Sequence, residues 1–409
     1  MITPRSLRLH VGFFGRTNAG KSSLINALSN REVAVVSNYA GTTTDPVFSD
    51  IELLGLPVTL VDTAGVDDES SLGEKRLKRT MEVLNRVDLA VIVVDALKGV
   101  SDYEIKLAKI LKSEGIGFVV ALNKSDIAEN LEEVKEEVSS KLEIQKNRVI
   151  PVSALKRIGL EKLVDRMLRI APDFDDSQFL DGIVEEGDLI YLNIPIDLGA
   201  PKGRLIYPQV QAIRNILDLK ATCVVVKERE LKWVFETLGK PKMVITDSHA
   251  FTKAAADTPE DVMLTSFSIL EARFRTGNLA KLVEGVLEVE NLKDGDRVLV
   301  AEACTHHPSP DDIGRVKIPR WIRNIAGNIE FDHVMGGAFP SDLSKYKLII
   351  HCGACTLTRR HMMYRIKLAE KAGVKITNYG LVIAYVHGIL PRAIEMFPEA
   401  MKVWNKVKG

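Results

Sequence analysis

At 409 residues the chain is longer than one hydrophobic core supports, so two or three domains are expected. Lys plus Arg and Asp plus Glu number 55 each, a formal net charge of zero, which argues against a life on nucleic acid, where a basic excess supplies most of the affinity. No apolar run approaches the roughly 20 residues of a bilayer crossing, and residues 1–5 lead into a strand without an apolar signal region. A cytoplasmic protein acting on neither membrane nor nucleic acid is expected. Four cysteines make no disulfide framework here; clustered in a cytosolic chain, they point to metal or catalysis.

In chain order, residues 9–14 read as a short buried strand running into Gly15-Arg16-Thr17-Asn18-Ala19-Gly20-Lys21-Ser22, and a helix begins around Ser23. This fits G-x-x-x-x-G-K-[ST]. Gly15 and Gly20 let backbone N–H groups turn inward as an anion nest around Asn18 and Ala19, Lys21 reaches the β- and γ-phosphates, and the Ser22 hydroxyl meets Mg²⁺. Asp62-Thr63-Ala64-Gly65 follows the strand at 58–61. Asp62 is the acid behind the Mg²⁺ ligands, and the Gly65 N–H meets the γ-phosphate. Residues 41–45 are the first switch, with Thr43 as a further Mg²⁺ group. Asn123-Lys124-Ser125-Asp126 follows the apolar strand at 118–122. Asp126 accepts the two donors of a guanine edge, Asn123 bridges base and loop, and the Lys124 stem covers the ring. Adenine presents the wrong pattern, so the nucleotide is GTP. Ser153-Ala154 closes the set, with a backbone N–H from Ala154.

This module resembles the potassium-dependent GTPases related to the tRNA-modifying GTPase (TrmE) family and to Era. Asn18 stands where that family uses a side-chain oxygen to help bind K⁺. Val66 stands where Ras-like proteins place a water-orienting glutamine. Valine orients no water, so the resemblance implies a K⁺ ion placed like an arginine finger, with Lys21, Asn18, Thr43 and Gly65 as the catalytic set.

A polar, acidic stretch at 171–176 ends the GTPase domain, expected over 1–173. Over 174–264, apolar strands at 189–194, 222–226 and 243–246 alternate with helices from about 208, at 230–238 and at 251–256. That pattern is a small parallel sheet. It carries no nucleophile, ligand spacing or phosphate loop, which suits an assembly surface. Over 265–409 a helical stretch from 269 to 289 precedes a strand at 297–303 that ends in Cys304-Thr305-His306. A helix is expected at 311–325 and a strand at 329–334. A strand at 346–350 then ends in His351-Cys352-Gly353-Ala354-Cys355, with a helix at 359–372. In an alternating α/β chain, strands ending in Cys304 and Cys352 lie parallel with their carboxyl ends on one rim. The fold class is therefore α/β, a P-loop GTPase fold followed by two smaller parallel-sheet domains. By the residues alone the cysteines suit a redox pair, a structural zinc closed by His306 or His351, or an Fe–S cluster; haem attachment would need His where Thr356 stands.

Cys-x-His, a long gap and His-Cys-x-x-Cys, downstream of a GTPase and a middle domain, resemble the [FeFe]-hydrogenase maturation GTPases, the HydF family, over essentially the whole chain. The resemblance implies a [4Fe–4S] cluster on Cys304, Cys352 and Cys355 with an exchangeable fourth position. His306 and His351 match the motif as candidate ligands. It also implies a scaffold that takes a di-iron (H-cluster) precursor from two radical-SAM maturases and delivers it to the [FeFe]-hydrogenase apoenzyme, and a homodimer formed through the middle domain. The rival reading is an RNA- or ribosome-associated assembly GTPase with a structural zinc.

Overall fold

A computed structural model describes residues 3–29, 47–63, 80–172, 179–195, 205–304 and 312–408. Thr43, Gly65, Val66 and His306 lie outside the described residues. The chain divides into two compact units, 1–174 and 175–409.

In the first unit, β1 (Leu9–Phe14), β2 (Val47–Leu53), β3 (Leu56–Asp62), β4 (Leu89–Asp95), β5 (Gly117–Asn123) and β6 (Val149–Pro151) form one sheet in the order β2-β3-β1-β4-β5-β6. Only β2 runs antiparallel, against β3. β1 and β4 are buried at every position, as continuous apolar strands covered on both faces must be. Their side chains alternate between two cores. Val91 and Val93 pack with Leu24, Leu28, Leu163 and Met167 from the helices Lys21–Ser29 and Leu160–Ile170. Ile92 and Val94 pack with Leu107, Leu111 and Val138 from the helices Asp102–Ser113 and Leu131–Lys141.

The second unit holds two fully parallel four-stranded sheets. β7 (Leu189–Asn193), β8 (Thr222–Val226), β9 (Met243–Thr246) and β10 (Met263–Ser266) stand in the order β10-β9-β7-β8. β11 (Arg297–Glu302), β12 (Glu330–Met335), β13 (Leu348–His351) and β14 (Lys375–Asn378) stand in the order β12-β11-β13-β14. One hydrophobic core runs through both, from Phe179 to Ala400. Residues 264 and 265, where the sequence suggested a boundary, lie inside β10. Ser266 ends that strand and caps the helix Phe267–Thr276, its hydroxyl accepting from Ile269 N–H at 3.3 Å.

The single helical stretch expected over 269–289 is two helices, Phe267–Thr276 and Ala280–Leu287. Gly277 terminates the first in the left-handed region at φ 81, and Asn278 Oδ1 accepts from Ala280 N–H to start the next. The helix expected at 311–325 is a wide turn, Ile313–Lys317, followed by the helix Ile318–Ala326. Pro319 has no N–H to continue the wider pattern and is tolerated in the first turn of the α-helix. Among the described residues no helix is long and apolar enough to cross a membrane.

Candidate nucleotide site and cysteine rim

The loop after β1 turns through φ 152 at Gly15, 64 at Asn18 and 95 at Gly20 before the helix Lys21–Ser29 begins. Two glycines are required by close approach as well as by backbone angle. A Cβ at Gly15 would stand 2.3 Å from the Val93 carbonyl oxygen, and one at Gly20 would stand 2.2 Å from Asn123 Nδ2. Lys21 is almost wholly buried and folds over the loop, donating to the Gly15 and Arg16 carbonyls at 2.6 and 3.2 Å. These are the contacts an ammonium makes while spanning a phosphate nest. Ser22 Oγ donates to Asp62 Oδ2 at 2.6 Å, so the hydroxyl and the carboxylate expected around Mg²⁺ meet between the start of the helix Lys21–Ser29 and the end of β3.

At the other end of the pocket Asn123 joins two loops. Its Nδ2 donates to the Ala19 carbonyl at 2.9 Å, and its Oδ1 accepts from Ala154 N–H at 3.1 Å. Ser153 is buried, its hydroxyl accepting from Lys156 N–H. The cavity between these walls measures about 520 Å³. Asn18, Ser23, Lys124, Asp126 and Ala154 line it, a phosphate end and a base end on one surface.

Two contacts here escaped the sequence reading. Lys124, at φ 65, places Nζ 2.6 Å from Asp95 Oδ2 at the end of β4. Burial pushes the Asp95 carboxyl up, but the Lys124 hydrogen bond, the Leu97 amide and the Lys124 and Lys98 charges outweigh it and hold the group below the usual carboxylate range. Arg16 reaches from the phosphate loop to the buried Glu104 at 3.1 Å and to the Gly99 carbonyl. Glu104 in turn receives Ser101 N–H and Oγ in a capping box at the start of the helix Asp102–Ser113. The segment from Asp95 to Glu104 therefore holds both ends of the pocket. Ser101-x-x-Glu104 was the one local signal for it.

On the second unit, β11 and β13 are parallel neighbours with Ala301 paired to His351. Cys304 follows the end of β11, and Cys352 follows β13, its N–H donating to the Ala301 carbonyl at 2.9 Å. The Ala303 N–H points at Cys352 Sγ, 3.1 Å away. Ala354 turns the loop through the left-handed region at φ 61, and Thr358 caps the helix Arg359–Lys371. Burial, with the Cys304 charge adding, pushes the Cys352 thiol up to about 11 against the pull of the Ala354 and Ala303 amides. Burial first, then Cys352, Glu271 and Cys304, push Cys355 up to about 12. The three sulfurs thus sit within one another's field. Among the described residues, however, no group of three His, Cys, Asp or Glu side chains stands ready to hold a metal ion.

His351 is fully buried and both ring nitrogens are engaged. Nδ1 lies 2.8 Å from the Cys352 carbonyl oxygen and Nε2 lies 2.8 Å from Arg365 Nη1. A guanidinium only donates, so Nε2 accepts and Nδ1 carries the proton. Burial, then the Arg365 charge, lowers its pKa to about 3, against a lift from the Cys352 carbonyl. Arg365 also donates to the Gly336 carbonyl at 2.6 Å and lies over the Phe339 ring.

A six-stranded sheet with a phosphate loop after β1 and a guanine-reading loop after β5 defines the first unit as a P-loop GTPase, here followed by two parallel α/β modules. Residues 10–124 match the model of the 50S ribosome-binding GTPase family. GTPase Der of Kosmotoga olearia is 33% identical over 177 residues, 41% of this chain and 40% of that protein. The tRNA modification GTPase MnmE of Desulforamulus reducens is 34% identical over 157 residues, 38% of this chain and 33% of its own. The chain thus spans less than half the length of either relative. A probable GTP-binding protein engB of known structure matches 39% of this chain and 97% of its own at 25% identity, with a TM-score of 0.32. Residues 179–276 match the hydrogen maturase F dimerization domain, and residues 280–396 match the hydrogen maturase F tetramerization domain. The chain belongs to the hydrogen maturase F family, and it carries that family's two oligomerisation domains behind its GTPase.

Proposed function

We propose that this chain is a GTP-hydrolysing scaffold of [FeFe]-hydrogenase maturation. In this reading it carries a [4Fe–4S] cluster on Cys304, Cys352 and Cys355 and leaves a fourth position open for exchange. The observation that carries the proposal is the pairing of β11 and β13. Two parallel neighbours are each followed by a cysteine at one rim, and an amide donates to one of the sulfurs. Cys352 and Cys355 are held neutral by burial and by the charge of neighbouring thiols, so the donor set is one that a polycationic iron centre suits, since the cation would stabilise the thiolates. Such a centre supplies an iron site that can accept and release an external ligand. The chain's own part is to hold the sulfurs. His351 serves as a positioning residue for the Cys352 carbonyl, because both of its nitrogens are spent on neighbours. Whether His306 completes the set is an outcome of the experiment below.

In the first unit Asn123 and Asp126 select guanine, Lys21 and the loop amides hold the phosphates, and Ser22, Thr43 and Asp62 serve Mg²⁺. Asn18 supports a K⁺ ion in place of a water-orienting side chain, with the Gly65 N–H at the γ-phosphate. Nucleotide state governs exchange of partners in the cytoplasm: two radical-SAM maturases that supply the di-iron precursor and the hydrogenase apoenzyme that receives it. The working form is at least a homodimer through residues 179–276.

Anaerobic purification tests the cluster. A brown protein with about four irons per chain is expected, as [4Fe–4S] stoichiometry requires, with the iron lost on Cys304→Ala. Retention after His306→Ala places the exchangeable position on a group other than His306. A colourless protein with one zinc overturns the scaffold and favours a ribosome-associated assembly GTPase. Hydrolysis should rise with K⁺ and not with Na⁺, and equal rates in the two salts remove the ion from the mechanism.

A further inference from the structure

Below the cysteine loop lies a charge pair that neither the nucleotide site nor the three thiols require. Glu271 and Arg275 stand one turn apart on the helix Phe267–Thr276, 0% and 1% exposed, with Arg275 Nε donating to Glu271 Oε1 at 2.7 Å. A pair taken so completely from water gains little over apolar side chains of the same volume, so stability alone does not account for it.

Other contacts of the pair lead to the cysteine loop. Arg275 Nη2 donates to the Cys355 carbonyl at 3.2 Å. A Cβ added at Gly353 would touch the Glu271 stem at 3.7 Å, so the pair lies directly against Cys352-Gly353-Ala354-Cys355. Glu271 Oε2 is buried and has no hydrogen-bond partner among the described residues. Tyr207, first residue of the helix Tyr207–Asp218, has its hydroxyl buried in the field of Glu271, Arg275 and Cys355. Tyr207, Glu271 and Arg275 belong to the stretch matched by the dimerization domain, whereas all three rim cysteines belong to the stretch matched by the tetramerization domain.

We propose that Glu271 and Arg275 are positioning residues for the Cys355 side of the thiol site, through which the dimerization module holds a loop of its neighbour in shape. Arginine is needed because its planar fork places two separate nitrogens, Nε on the Glu271 carboxylate and Nη2 on the Cys355 carbonyl, whereas a lysine offers a single ammonium that does not span the two directions. Glu271 keeps that fork in register. The inference uses the proposed function only for the purpose of the loop; the contact itself stands without a cluster.

The full chain, purified without iron, is alkylated with iodoacetamide, and Cys355 and Cys352 are followed in the same molecules by peptide mass spectrometry. In Arg275→Lys the Cys355 to Cys352 rate ratio should rise about tenfold, equivalent to the loss of one charge-assisted hydrogen bond. Glu271→Gln, which keeps the volume, should move it the same way and decides the matter if Arg275→Lys does not fold. After anaerobic reconstitution the reduction potential of Glu271→Gln should differ from that of the wild type, because the hydrogen bonding and exposure of a ligand loop tune the potential of the cluster it holds. A wild-type ratio in folded variants overturns the proposal, as does an unchanged potential. A wild-type chain that takes up no iron overturns the scaffold reading instead, and the alkylation ratio still decides the positioning role.

Discussion

Lys124 was read from sequence as a cover for the guanine ring, and its sequence neighbours give no hint of what holds it there. A non-glycine residue at φ 65 stays in that conformation only when its surroundings over-determine it, and the contact with Asp95 supplies that restraint. Asp95→Asn should therefore weaken GDP and GTP binding alike, by about five- to tenfold for a charge-assisted hydrogen bond turned neutral, with kcat unchanged. Fluorescent guanine-nucleotide titrations beside steady-state hydrolysis measure both, and a loss confined to GTP would place Asp95 at the phosphate end instead. His351 carries the complementary lesson. Adjacent to Cys352 it reads as a ligand candidate, and only the fold shows the Arg365 guanidinium on one nitrogen and the Cys352 carbonyl on the other.

The helix Ala280–Leu287 lies tight against β14. A Cβ at Gly285 would stand 2.0 Å from the Ile376 carbonyl oxygen. Helix propensity by itself predicts that Gly285→Ala gains about 1 kcal/mol. The steric argument has the opposite sign and is larger, because the obstacle is backbone and neither element can yield without disturbing the core; a loss of about 3 kcal/mol is expected. Calorimetry of the full chain should show the transition of residues 175–409 falling while that of the GTPase unit stays in place. A rise would mean the helix can slide on the sheet. The same scale explains why the sequence joined two helices across 269–289. The apolar pattern continues through the break, and what ends the first helix is the left-handed Gly277, a residue that helices also tolerate internally.

Across the second unit the last segment returns to the middle module. Arg392, on the helix Leu390–Ile394, donates to the carbonyls of Ala255, Thr258, Pro259 and Val262, and Thr265 Oγ1 in β10 donates to the Ala393 carbonyl at 2.9 Å. Residues more than 120 positions apart thus close one core around two sheets. Arg392→Ala should lower stability by about 2 kcal/mol, since several carbonyls lose a charged donor, yet leave a single cooperative urea transition for residues 175–409. Two separated transitions would show that the sheets fold independently. Read along the chain, the alternation of strands and helices gave two parallel-sheet modules but not the core they share, because hydrophobic periodicity reports which face of an element is buried and not against what.

What the chain disclosed by itself was local. Phosphate and guanine loops are contiguous motifs whose backbone geometry follows from residue type, and strands ending in Cys304 and Cys352 could be set side by side because parallel α/β units leave few alternatives. Tertiary structure alone decided which other groups meet across elements: Asn123 with Ala19 and Ala154, Lys124 with Asp95, and Arg275 with the Cys355 loop. A buried charge or a folded-back amide takes its partner from whatever element packs against it. That partner lies tens of residues away at no fixed spacing, and no periodicity announces it.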